Sequence, residues 1–222
     1  SGKVESNSMR TRWGADPVAP RTKVIWKIRL WDENDACGEW SESSFEMGLP
    51  VGEAWQAKWI SGDYTPNKKE RYPVDCFRKK ENVSGVKKAR LYITACGLYE
   101  ARINGERVGD FVLAPGITDY RKRVQYLTYD VTALLKEGEN FLTVQLADGW
   151  YRGSCGAWGL RNQYGTQTKL LAQLELTDMD GKVTVIGTDE SWQWSNDGAI
   201  RFADNKDGEK VDARKTAGYH GK

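Results

Sequence analysis

Residues 89–165 read ARLYITACGLYEARINGERVGDFVLAPGITDYRKRVQYLTYDVTALLKEGENFLTVQLADGWYRGSCGAWGLRNQYG. Leu91, Ile93 and Ala95 alternate with Tyr92, Thr94 and Cys96, the period-2 pattern of a strand with two distinct faces. Cys96-Gly97 interrupts the alternation, which predicts a bulge or sharp bend. The pattern resumes over Tyr99–Ile103. Asn104-Gly105 then supplies two residues that tolerate positive φ, a strong hairpin signal. Val124–Thr132 alternates again, and Asp130 is placed to cap the short turn Ala133-Leu134-Leu135. Residues 137–140 (EGEN) turn the chain into another strand over Phe141–Ala147. The stretch is an antiparallel β module ending in a glycine-rich aromatic loop.

The flanks continue the pattern. Downstream, Thr168–Thr177, Lys182–Ile186, Ser191–Ser195, Ile200–Asp204 and Gly208–Arg214 read as strands. Upstream, Asp75–Lys80 is a short strand with Phe77 inward, and 81–88 reads as an exposed connection. No amphipathic helix longer than two turns and no repeat is expected, so residues 51–222 form an all-β sandwich of jelly-roll kind. Residues 1–50 form a separate small β domain. There Val24–Trp31 alternates strongly, residues 32–35 (DEND) make a polar turn, and Trp40–Met47 carries the last strand. Residues 48–52 (GLPVG) are the junction, with Trp55 and Trp59 packing at the boundary. This first segment has room for about four of the roughly seven strands of a complete sandwich. The expectation is therefore that the chain starts inside a domain, as a fragment, and that exposed strand edges in 1–50 favour pairing between copies.

Composition bounds the function classes. The 222 residues suffice for a sizeable core. A net charge of +2, from 33 Lys and Arg against 31 Asp and Glu, gives no pull toward nucleic acid or membrane. No leader pattern and no run of about 18 apolar residues occurs, and the compartment is left open. Cys37, Cys76, Cys96 and Cys155 are scattered without zinc-like spacing and are expected to be free, mostly buried thiols. With His220 the one histidine in the chain, a histidine-dependent triad or a histidine metal site is excluded. Ten Trp and ten Tyr suit either sugar stacking or a sandwich core.

Two loops are candidate recognition elements. One holds Trp150, Tyr151, Arg152, Trp158, Asn162 and Tyr164. Its flat rings could stack on a pyranose face while polar groups bond the hydroxyls; alternatively Trp150 and Tyr151 plug the sandwich end or a contact with a downstream domain. The other holds Asp119, Tyr120 and Arg121. It could serve the same ligand, with Asp119 or Asp148 helping to bind calcium, a hard cation that wants oxygen ligands, or it could be a loop pinned by an Asp–Arg pair. Residues 178–181 (DMDG) and 204–208 (DNKDG) lack the downstream bidentate Glu of a calcium loop and read as turns. Asn104-Gly105 is explained by its turn. Acidic residues are abundant, but none stands in a setting that argues for the raised pKa a glycosidic acid needs.

The runs LYITACGLYEARINGERVGD, LAPG-TDYRKRVQYLTYDVT-LL and LADGWYRGSCGAWG resemble the N-terminal β-sandwich domain of bacterial α-L-rhamnosidases, glycoside hydrolase family 78. The likeness extends from about Trp55 to Arg214. The chain departs from it at Ile117, where that family usually has an aromatic. WKIRLWDEN…GEWSE…FEMG resembles the last strands of a fibronectin type III-like domain. The resemblance implies a galactose-binding-like jelly roll (51–222) after a partial fibronectin-like sandwich (1–50), and catalytic acids in a downstream (α/α)₆ barrel of the same polypeptide. It further implies no catalytic residue and no required cofactor here, and rhamnose-containing glycans as the sugar partner. A lectin-like binding module is the alternative. Some members carry a related sandwich that binds rhamnose through calcium, so calcium is the one cofactor the resemblance brings in.

Overall fold

The computed structural model describes residues 8, 10, 14–50, 55–156 and 158–215. The chain divides into two compact units, Ser1–Ala54 and Trp55–Lys222, four residues beyond the boundary expected after residue 50. Residues 51–54 and His220 lie outside the described residues.

In the first unit β1 (Lys23–Ile28) pairs antiparallel with β2 (Ser41–Glu46), Lys23 opposite Glu46 and Ile28 opposite Ser41. The strand expected to run to Trp31 stops at Ile28. Beyond it the Arg29 guanidinium lies 4.8 Å from the Trp31 ring and 4.7 Å from the Trp40 ring, a cation–aromatic arrangement that takes over from ladder pairing. The Asp32 carboxylate accepts the N–H groups of Asn34 and Ala36, both at 2.9 Å, an Asx-type turn that accounts for the polar run. Among the described residues of this unit these two strands are the regular ones.

Among its described residues the second unit contains eleven strands: β3 (Asp75–Val83), β4 (Val86–Cys96), β5 (Leu98–Ile103), β6 (Glu106–Arg107), β7 (Leu127–Asp130), β8 (Gly138–Ala147), β9 (Lys169–Asp178), β10 (Val183–Gly187), β11 (Gln193–Ser195), β12 (Ile200–Asp204) and β13 (Gly208–Val211). One sheet has the order β10-β9-β4-β7, the facing one β11-β3-β8-β5-β6, and β12-β13 is a separate ribbon. Every pairing is antiparallel. Phe77, Leu91, Ile93, Ile103, Leu142, Val144, Leu146, Leu170 and Leu174 from both sheets fill the space between them. Full burial of each such side chain contributes roughly 1.5–3 kcal/mol.

Gly97 is where the chain changes sheets. Its φ is +138°, and a Cβ there would lie 2.6 Å from the Ala147 carbonyl oxygen, so only glycine lets β4 end in one sheet and β5 begin in the other. The predicted bend is therefore a sandwich corner. The second face of β4, Tyr92, Thr94 and Cys96, is buried as well. Trp55 meets Tyr126 edge-on at 5.5 Å, and Tyr126 in turn meets Tyr92 at 6.3 Å. Trp55 thus covers a sheet of its own unit, while Trp59 stays exposed.

Further expectations shift. The connection expected over 81–88 is strand on both sides of a turn at Ser84-Gly85, with Gly85 at φ +62°. The strand expected over 124–132 is paired only at Leu127–Asp130. The following 3₁₀ turn (Thr132–Leu134) has Val131 at its N-cap and no side-chain cap bond, so Asp130 does not cap it as expected but accepts the Thr132 N–H at 3.1 Å and the Thr132 hydroxyl at 2.6 Å from one position further upstream. Asn104 exceeds its turn role. With Gly105 it takes positive φ, and its side-chain amide also donates to the Leu134 carbonyl (2.9 Å) and to Asn140 Oδ1 (2.8 Å) while its Oδ1 accepts the Phe141 N–H (3.1 Å).

Candidate functional site

The aromatic loop leaves β8 through Asp148 and enters a single helical turn, α1 (Gly149–Arg152), where sequence reading expects only loop. Gly149 has φ +53°, and a Cβ would come 2.9 Å from the Leu98 amide nitrogen. That close approach turns Arg152 inward. Both Asp148 and Arg152 are 1 % exposed, and Arg152 Nε donates to Asp148 Oδ1 at 2.7 Å. Arg161 reaches the other carboxylate oxygen at 3.5 Å. Burial pushes the Asp148 carboxyl above the ordinary carboxylate range, against the pull of the two guanidiniums.

From Arg152 the network continues into the sandwich. Arg152 Nη1 donates to the Tyr64 hydroxyl, and Tyr64 donates to Asp75 Oδ2 at 3.1 Å. Asp75, fully buried, also accepts from the Thr168 hydroxyl and, at 3.1 Å, from the Trp194 indole N–H. Burial raises the Tyr64 phenol to about 12. Sequence reading misses Tyr64, Asp75, Arg161, Thr168 and Trp194. The one available signal is Asp75 itself, a carboxylate set between Val74 and Cys76 at the start of a strand, where an unpaired charge would be costly.

The rest of the loop folds back on this turn. Asn162, at φ +60°, donates its N–H to the Arg152 carbonyl (2.9 Å), and the Tyr164 N–H reaches the Tyr151 carbonyl (3.2 Å). Asp204 in the 204–208 turn accepts the Ser154 N–H at 2.7 Å and the N–H groups of Lys206 (2.9 Å) and Asp207 (3.1 Å). In the 178–181 turn Asp178 accepts from Asp180 (3.0 Å) and Lys182 (2.9 Å). Both acidic stretches are accounted for as turns.

The two candidate loops meet at tyrosines. The Tyr120 ring lies 5.2 Å from Tyr151 and 5.1 Å from Tyr164, and the Arg121 guanidinium lies 5.4 Å from the Tyr164 ring. Burial raises the Tyr120 phenol to about 12. Asp119 accepts Arg121 Nε at 3.0 Å, and that bond holds its carboxyl below the usual range. Trp158, 88 % exposed, stands apart, and Trp150 is half-buried. Tyr120, Tyr151 and Tyr164 are therefore brought together, Asn162 fastens the loop, and Arg152 lies beneath the surface with its donors directed inward.

Asp119 and Asp148 each already hold a guanidinium. Among the described residues no group of three or more His, Cys, Asp or Glu side chains could hold a metal ion. The buried carboxylates Asp75, Asp148, Glu175 and Asp204 accept hydrogen bonds from the protein, whereas glycoside hydrolysis needs one carboxyl free to give a proton and another to act on water or sugar. The arrangement can stiffen a loop and present rings.

Paired antiparallel sheets with a sheet-switching corner and a pinned aromatic loop define a β-sandwich of jelly-roll, galactose-binding-like class. The chain belongs to the α-L-rhamnosidase N-terminal domain family, whose model matches residues 84–221. Residues 1–50 match the Rha78A-like N-terminal immunoglobulin domain, where the sequence suggests a fibronectin type III-like one; both are Greek-key sandwiches. An α-L-rhamnosidase of Streptomyces avermitilis is 53 % identical over 208 residues, covering 91 % of this chain and 20 % of that protein. One of Formosa agariphila is 38 % identical over 220 residues, covering 94 % and 23 %. The crystal structure of an α-L-rhamnosidase from Aspergillus terreus superposes with a TM-score of 0.84 at 39 % identity, covering 92 % of this chain and 24 % of that one. The chain spans about a quarter or less of the length of these relatives.

Proposed function

We propose that this chain is a non-catalytic N-terminal module of an α-L-rhamnosidase, supporting a catalytic barrel carried elsewhere on the same polypeptide. The whole enzyme would remove terminal α-L-rhamnose with inversion, one carboxyl protonating the leaving oxygen while another activates water. The observation that carries the reading is the match over residues 84–221 to the N-terminal family, joined to relatives several times as long. The engagement of the buried carboxylates by arginine, tyrosine, threonine and backbone groups supports it. The chain alone is expected to release no p-nitrophenol from p-nitrophenyl α-L-rhamnoside, whereas the complete polypeptide releases it. Turnover by the chain alone would overturn the reading.

A second reading, a lectin-like carbohydrate-recognition module, is favoured by Trp158 at 88 % exposure on a loop otherwise held down at Tyr151, Asn162 and Tyr164. Calorimetry with L-rhamnose, with and without calcium, separates the two. Saturable heat at millimolar affinity or better, lost in Trp158→Ala, supports recognition; absence of heat leaves the scaffold role. Calcium enters as part of this second reading, and binding there would require Asp119 or Asp148 to exchange its arginine for the cation.

A further inference from the structure

We infer that residues 110–117 form the face by which this module packs on the catalytic portion of an α-L-rhamnosidase, an apolar patch with a rim of mixed charge that fits the mixed apolar and polar surface of a neighbouring domain. This inference rests on the scaffold reading above and names its contact surface.

Phe111, Val112, Leu113 and Ile117 are 49, 69, 47 and 60 % exposed, a run of large apolar side chains on one loop rather than scattered singly, which marks an interaction surface. The loop is fastened from below. Ala114 is buried, and its carbonyl accepts the Tyr99 N–H at 2.8 Å. Gly116 donates to the Leu113 carbonyl at 2.9 Å, Arg107 Nη2 to the Phe111 carbonyl at 3.2 Å, and the Gln125 amide to the Pro115 carbonyl. Leu113 takes φ +59°, a conformation costly for a leucine, so the surrounding bonds hold the side chains outward. The Tyr120 hydroxyl donates to the Gly116 carbonyl at 3.4 Å and links this loop to the tyrosine cluster.

The occupant follows from the mixed character of the surface and from family. Arg107, Arg121, Lys122 and Arg123 stand against Glu106, Asp110 and Asp119 around the patch, and Arg107 pairs with Glu100 while Arg121 and Lys122 pair with Asp119, so the rim is of mixed charge. In the family's longer members most of the polypeptide lies outside the matched segment, and contacts between domains of one chain use surfaces of this mixed apolar and charged kind.

Hydrogen exchange of the Phe111–Ile117 amides tests the surface, compared between the 222-residue chain and the complete polypeptide that carries it. Protection at least about tenfold greater in the complete polypeptide is expected. The double variant Val112→Asp, Leu113→Asp should abolish that protection while leaving the melting midpoint of the 222-residue chain unchanged, because both side chains are exposed. Equal exchange in the two proteins overturns the docking surface, and so does protection that appears in the 222-residue chain alone as its concentration rises, which would assign the patch to a second copy. Hydrolysis of p-nitrophenyl α-L-rhamnoside by the complete polypeptide is scored in parallel. An active enzyme with an unprotected loop defeats only this surface, whereas an inactive polypeptide defeats the reading beneath it.

Discussion

Arg152 and Asp148 face each other across one helical turn, with Nε and Nη2 of the guanidinium each 2.7 Å from the same carboxylate oxygen and both side chains sealed from water. Removing one partner leaves the other charged and buried, which typically costs about 3–5 kcal/mol. Arg152→Met should lower the free energy of unfolding by that much, read from urea denaturation followed by tryptophan fluorescence. Arg152→Met with Asp148→Leu should lose less, since neither charge is then stranded. A single variant within about 1 kcal/mol of the wild type would show that water reaches the pair.

Asn104 combines a left-handed backbone with three side-chain hydrogen bonds. Asn104→Gly keeps the first and deletes the second. Because glycine suits the turn, any loss of stability reports the ties to Leu134, Asn140 and Phe141. The expected loss is about 1–3 kcal/mol, the cost of leaving buried partners unsatisfied. An unchanged denaturation midpoint would mean the turn alone matters.

Stability should fall at both ends of the pH scale. Hydrogen bonds from Arg121, Lys215, Ser154 with Arg71, and Arg214 hold Asp119, Asp197, Asp207 and Asp212 below the ordinary range. Such groups contribute stability that is present above the unfolded carboxyl value of about 3.9 and lost as pH drops through their folded values. Asp148, raised by burial, acts in the opposite sense, but it is one carboxyl against six, since Asp130 and Asp189 are lowered as well. At the alkaline end, burial raises the Cys76 thiol to about 11 and Tyr64 and Tyr120 to about 12, and pushes Tyr99 up as well. Their contribution is full below the unfolded values of about 8.5 for the thiol and 10 for the phenols, and is lost as pH rises through the folded ones. Melting midpoints should be level between about pH 5 and 8 and decline on either side. A midpoint that climbs from pH 8 to 11 contradicts the assignment.

The four thiols should react in sequence with Ellman's reagent. Cys37 is exposed, Cys155 half-buried with its Sγ donating to the Trp150 carbonyl at 3.2 Å, and Cys76 and Cys96 are buried. Burial also raises the thiols of Cys76, Cys96 and Cys155, which lowers the reactive thiolate fraction. Cys37 should be modified at once, Cys155 slowly, and the other two only with unfolding. Peptide mapping that finds Cys76 labelled first would refute the burial order.

Much of the sandwich was legible because its signals are local. Leu91, Ile93 and Ala95 alternate, Gly97 breaks the alternation where the chain changes sheets, and Asn104-Gly105 turns it. Ser84-Gly85 was less visible, since the charged residues on either side mask two paired strands. The site was half legible. Glycine and aromatic density marked both loops, and Tyr120, Tyr151 and Tyr164 do meet. Arg152 misled because a basic residue in an aromatic loop reads as a surface donor; Gly149 at φ +53° sends it inward. Its partner Tyr64 is 88 residues away, and no spacing rule reaches that far.

The facing sheet is completed by pairing Trp194 with Phe77, 117 residues apart, and in the other Cys96 lies opposite Lys169, 73 residues apart, so neither layer can close until its distant strand has been synthesised. Chains dominated by such distant pairings acquire their structure slowly, in milliseconds to seconds once complete. On the ribosome, where elongation adds about 5–20 residues per second, β3, β4 and β5 therefore wait many seconds with their edges unsatisfied. Nascent-chain survival, more than the final equilibrium, is then what a chaperone would be asked to protect in this protein.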